Sequence, residues 1–266
     1  MLRRMLAASA SDADGGRALE DFLLANSGLP GPRGNLELAA AFADCYVDRI
    51  PADWEHDTLE RWAGISAEEA PYGTSGEYLP FCAMQALSSL YQCAGGAERC
   101  NIASLLRRAA ADKRWRLRES CAMALQRIGE MCFSDLLEIV QDWERGASLL
   151  ELRALIAALA HPPLLRDPDK ARLALDFAGS VMLRVQGLSA EEDRTDELRV
   201  LKQGLEYALS VYVAALPDDG FDLLDKWAVS PSKSIRQIVK ANLGKSRVSR
   251  FEDRIRRTLA LLLSDR

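Results

Sequence analysis

The sequence predicts an all-α fold, an α-solenoid of stacked antiparallel helix pairs forming a single curved domain. Three observations predict it. Apolar residues recur at helical spacing along almost the whole chain, and no stretch alternates with period two between hairpin turns. All ten prolines stand at or near the ends of the apolar segments. Short motifs recur at intervals of about 35–46 residues, the length of a two-helix unit.

The elements follow in order. Residues 1–16 read as a flexible N-terminal tail ending at Gly15-Gly16, and 17–266 as the helical domain. The apolar patch in the tail is about four residues, against roughly 7–15 in a secretory signal. No run of about 18 apolar residues marks a transmembrane helix. Helices are predicted near 17–26, 35–50, 54–63, 67–71, 77–93, 98–111, 114–129, 133–145, 148–161, 168–186, 190–215, 218–229, 232–243 and 250–263. Pro168, Pro217 and Pro231 suit a first helical position, which needs no backbone N–H, and Ser230 suits the N-cap before Pro231. Capping boxes are predicted at Ser66/Glu69, Ser148/Glu151, Ser189/Glu192 and Ser249/Glu252.

The repeats are short. Cys82-Ala83-Met84 returns as Cys121-Ala122-Met123, and Cys93 and Cys132 share the same 39-residue offset. The run Gly64 to Glu69 returns at Gly187 to Glu192. Leu117-Arg118, Leu152-Arg153, Leu198-Arg199 and Ile235-Arg236 each open an apolar segment. A helix pair cannot bury both its faces alone, so stacked pairs share a continuous core.

Of the 266 residues, 48% are hydrophobic and 27% charged, the balance of a folded soluble chain. The net charge of -5 is unevenly spread. Residues 1–100 carry 7 basic and 15 acidic groups, whereas 226–257 hold ten Lys/Arg against Glu252 and Asp253. Residues 107–118 hold six basic groups against Asp112. Six cysteines without a C-x-x-C pair read as free thiols in a reducing cytoplasm.

Catalytic signatures are mostly missing: the chain has no P-loop, no dinucleotide fingerprint, no nucleophile elbow and no H-E-x-x-H. Two distant histidines, His56 and His161, offer little for a metal site or a triad. His56 lies among Asp53, Glu55 and Asp57, which read as a helix start with Asp53 as cap. No cofactor and no metal is expected.

The basic runs are the candidate macromolecule-binding residues. Arg107, Arg108, Arg114 and Arg116 surround Trp115, whose ring could stack on a base or a cation. Lys233, Arg236 and Lys240 share one side of a helix, Lys245 and Arg247 follow in a turn, and Arg250, Arg254 and Arg257 form a second ridge. Such ridges attract phosphate or an acidic protein.

The segment Asp112 to Gly129, with Asp, an apolar-Arg pair at Leu117-Arg118, then small and apolar residues ending in Ile128-Gly129, resembles the second half of a HEAT repeat. Ser230 to Arg247 is a second, similar window. The resemblance implies a solenoid whose concave face binds a macromolecule, and it implies no reaction. It also implies that Asp112, Arg118, Arg153 and Arg236 bridge adjacent units. The expected function is a non-enzymatic scaffold for a protein partner in the cytoplasm, with no membrane association. The second reading is nucleic-acid binding through the basic helices at 107–118 and 226–257, including a DNA-alkylation-repair glycosylase of HEAT-like fold. Trp143 and Trp227 supply that family's residue types, but no residue aligns to its motif.

Overall fold

The computed structural model describes residues 1–9, 16–189 and 191–264. It contains fourteen α-helices and no strand among the described residues, so the all-α class stands. The chain divides into two compact units, Met1–Asp142 and Trp143–Arg266.

The first unit holds α1 (Leu2–Ser9), α2 (Arg17–Ala25), α3 (Leu36–Ala43), α4 (Asp53–Ala63), α5 (Tyr78–Leu90), α6 (Gly96–Ala110) and α7 (Trp115–Met131). Helix α8 (Phe133–Glu144) carries the boundary. Helix α5 is the centre. Every one of its residues is buried, and it packs against α2, α3, α4, α6 and α7. A helix apolar on all sides belongs inside a core. Its polar residues are satisfied there: Gln85 Nε2 donates to the Ser120 carbonyl and to Ser120 Oγ, both at 2.8 Å. Pro80 sits at the third position of α5, where the missing N–H has no intrahelical acceptor to lose. The repeated Cys-Ala-Met segments fall on α5 and α7, which pack together with Cys82 and Cys121 both fully buried.

The second unit holds α9 (Leu149–Leu159), α10 (Pro168–Gln186), α11 (Asp196–Ala215), α12 (Pro217–Ala228), α13 (Lys233–Leu243) and α14 (Glu252–Ser264). Helix α11 is its centre, against α9, α10, α12 and α13. Tyr212 Oη donates to the Ile156 carbonyl at 2.6 Å. Asn242 is fully buried; its Nδ2 donates to the Leu205 carbonyl at 3.0 Å and its Oδ1 accepts from the Ser210 N–H at 2.7 Å, linking α13 to α11. At Gly220 a Cβ would lie 2.7 Å from Val213 Cα, so only glycine lets α12 start this close to α11.

Pro168 and Pro217 stand first in α10 and α12. Pro231 does not: Ser232 caps α13, its Oγ accepting from the Ile235 N–H at 3.4 Å, and Ser230 Oγ instead donates to Gln186 at 2.9 Å. The Ser148/Glu151 box is formed at α9. Ser66/Glu69 and Ser189/Glu192 also close both reciprocal bonds, but the helix predicted at 67–71 is a turn. Pro71 ends it, because the residue before proline is pushed out of helical geometry. After Gln186 a 3₁₀ turn at Glu192–Arg194 precedes α11, which is capped by Thr195; Ala190, the predicted start, lies outside the described residues. At Ser249 the Oγ donates to the Ser246 carbonyl at 2.8 Å, and α14 begins at Glu252. The predicted tail contains a helix: α1 buries Leu2 and Leu6 and packs on α2, while 10–15 lie outside the described residues.

Candidate functional site

The first basic cluster is divided by burial. Arg114, expected on the surface, is 3% exposed. Its Nε and Nη2 donate to the two Asp112 oxygens at 2.9 and 2.8 Å. Nη1 reaches the Ser66 and Ala70 carbonyls at 3.1 and 3.2 Å, and Nη2 the Ile65 carbonyl at 2.8 Å. This arginine pins the 65–70 turn to the start of α7 and has no donor left for an outside partner.

Arg116 is also an internal residue, at 5% exposure. Its Nη1 donates at 3.1 Å to Glu77, which is wholly buried, and its Nη2 donates to the Gly31 carbonyl at 2.9 Å. Its guanidinium lies 5.1 Å from the Tyr72 ring centroid and 5.0 Å from that of Trp115. Both arginines thus spend most of their donors on carbonyls and carboxylates within the fold, and Arg116 keeps a buried Nε without an acceptor. Arg118 Nη1 donates to the carbonyls of Asp112 and Lys113 at 2.6 and 3.0 Å. Arg108 stays exposed at the end of α6, and Arg107 is half-buried.

Trp115 remains at the surface, 42% exposed, with its Nε1 donating to Tyr72 Oη at 3.1 Å. Tyr72 and Leu36 are exposed beside it, at 60% and 46%. Trp115 and Leu36 border a cavity of about 170 Å³, whose other apolar walls are Leu29, Tyr78, Phe81 and Met123. Tyr78 Oη donates to the Asn35 carbonyl at 2.6 Å, and burial pushes its pKa up, so the phenol stays a donor. Sequence reading missed Leu36, Tyr72 and Arg33. Tyr72 carried a usable signal, an aromatic residue in the turn sequence Pro71-Tyr72-Gly73.

Two arginines of the second basic cluster are neutralised from α12. Arg254 pairs with Asp222 at 2.6 Å and Asp218 at 3.5 Å, and Arg257 with Asp225 at 3.1 Å. Thr258 Oγ1 donates to Asp225 at 2.6 Å. These acids precede residue 226 and stand on the neighbouring helix. The ridge of Arg254 and Arg257 is thus a helix–helix ion-pair ladder and not a free cationic surface. Arg236 Nη1 donates to the carbonyls of Ser230 and Pro231 at 2.5 and 3.1 Å. Arg247 lies over the Tyr207 ring at 4.3 Å and Arg250 over Phe251 at 4.7 Å. Lys233 and Lys240 are exposed and Lys245 half-buried, without an ion-pair partner among the described residues.

His56 faces Glu98 at 3.3 Å and Glu60 at 3.8 Å. Ala52, not Asp53, caps α4, and Glu55 accepts the Ala52 N–H at 2.8 Å. Among the described residues no group of three or more His, Cys, Asp or Glu side chains could hold a metal ion, and no helix is long and apolar enough to cross a membrane. No protein-family model matches this chain, and no curated protein matches it.

Proposed function

We propose that the protein is a non-enzymatic helical scaffold of HEAT-like construction that binds a protein partner. One observation carries the reading: Leu36 and Trp115 keep apolar surface in water at a preformed apolar cavity, with exposed Tyr72 bonded to Trp115. Grouped exposed apolar side chains mark interaction sites, and tryptophan and tyrosine dominate interface energetics. Arg116 beneath the two rings holds them in place through its contacts with Glu77 and Gly31. Arg118 and Arg236, each bonded back to two carbonyls just before α7 and α13, support the repeat reading. A cytoplasmic setting is part of the proposal, supported by six cysteines that are all free thiols.

A photo-crosslinking residue, p-benzoylphenylalanine, placed at position 36 tests it, with exposed Ile50 as the control position. The expected result is a protein adduct at 36 that is absent at 50 and is lost with Trp115→Ala. Equal labelling at both positions would overturn the reading.

Nucleic-acid binding has one observation of its own, the lysines Lys233, Lys240 and Lys245 free of acidic partners. The neutralised Arg254 and Arg257 weigh against it. We expect no duplex-DNA binding by fluorescence anisotropy at physiological salt. Salt-dependent binding lost in a Lys233→Glu, Lys240→Glu variant would favour this second reading.

A further inference from the structure

We infer that the cavity beside Trp115 takes one ring-sized apolar side chain of the partner, and that Arg33 pairs with an acidic residue on the same segment. This rests on the protein-binding reading and names the chemistry of the segment bound.

Size decides the first half. The cavity of about 170 Å³ falls below the roughly 300–1,000 Å³ of sites for whole small molecules. It is close to the roughly 150 Å³ that holds a benzene ring. One phenyl or isobutyl group fills such a space, the size of a single interface anchor. The walls are fixed before binding. They come from α3, α5, α7 and the 26–35 loop, and that loop is tied down by Arg116 at Gly31 and Tyr78 at Asn35. A preformed pocket spares the ordering cost of binding.

Charge decides the second half. Four charged side chains line the cavity: Arg33, Glu77, Arg116 and Glu119. Glu77 and Arg116 are buried 3.1 Å apart and cancel each other. Glu119 is already engaged within the chain. Arg33 is thus an exposed lining cation with no ion-pair partner among the described residues, so an acid beside the anchor is attracted to it and a lysine repelled.

Three acetylated, amidated peptides test this on the full chain: Gly-Asp-Phe-Asp-Gly, Gly-Lys-Phe-Lys-Gly and Gly-Asp-Ala-Asp-Gly. The readout is the Met123 methyl signal in ¹³C-methyl-methionine protein, assigned with Met123→Leu. The acidic phenylalanine peptide is expected to shift that signal and to bind roughly fivefold more tightly than the lysine peptide. The alanine peptide leaves it in place. Arg33→Glu, at an exposed loop residue, keeps the thermal midpoint and inverts the charge preference. No shift with any peptide, or a preference indifferent to Arg33→Glu, overturns the inference. If crosslinking at position 36 succeeds while the peptides fail, the protein-binding reading stands and this inference falls.

Discussion

Arg118 and Arg236 make the same contact, 118 residues apart. Each is the fourth residue of its helix, and each sends Nη1 back to the carbonyls six and five residues earlier, at 2.6 and 3.0 Å for Arg118 and at 2.5 and 3.1 Å for Arg236. The brace folds the incoming loop against the first turn of α7 and of α13. These contacts are local to each helix start, where the family resemblance implied a bridge between adjacent units. Arg114 makes the longer link, to carbonyls 44–49 residues earlier.

The braces predict matched losses. Arg118→Ala and Arg236→Ala should each destabilise the protein by about 1 kcal/mol, since charge-assisted bonds are worth more but these side chains are partly solvated. Urea denaturation checks the pair; a loss in one variant and none in the other would show that the shared geometry has no shared energetic role.

Arg114→Ala should cost more, about 3 kcal/mol, because it removes a buried guanidinium bonded to Asp112 and to three carbonyls. Lysine should not rescue it, since one ammonium cannot reach four acceptor groups in fork geometry. The expected signature is cleavage by a glutamate-specific protease at Glu68 or Glu69 under conditions that leave the wild type intact.

Glu69 and Glu192 should titrate below the ordinary glutamate value. The Ser66 and Ser189 N–H groups hold the charged carboxylates first of all, and the serine side chains add to it. Because the folded pKa is the lower one, this contribution is present above the ordinary value and is lost as pH falls through the depressed one. Carboxyl ¹³C titration checks it, with Ser66→Ala and Ser189→Ala expected to move the midpoints upward.

Cys132 should be the fastest thiol to react at neutral pH. Its pKa is lowered first by the Ser134 hydroxyl, 3.0 Å away, and next by the Asp135 N–H. Cys82 is fully buried and its thiol is pushed up by desolvation. Labelling followed by peptide mapping should rank Cys132 ahead of Cys93 and Cys100, with Ser134→Ala slowing it several-fold. Equal rates in that variant would remove the hydroxyl from the account.

Periodicity and punctuation were enough to read the helical class and most helix positions, as at Tyr78–Leu90 and Pro168–Gln186. Those signals are local, written in residues three and four apart and in the prolines that end each run. The short helix Leu2–Ser9 escaped notice because eight residues are marginal alone, and burial of Leu2 and Leu6 against α2 sustains them. The start of α13 lies two positions beyond the Ser230-Pro231 expectation, because serine on both sides of Pro231 offers a cap. Charge was the least readable property. A run of arginines looks alike in sequence whether its donors face water or carbonyls. Arg114 and Arg116 were claimed by the 65–70 turn, Glu77 and Gly31, and Arg254 and Arg257 by acids on α12. The exposed group of Leu36, Tyr72 and Trp115 gathers residues up to 79 positions apart, and no spacing rule links them. Their adjacency arises when α3, the turn before α5 and α7 pack in three dimensions, because helix packing sets neighbours by surface fit and not by distance along the chain.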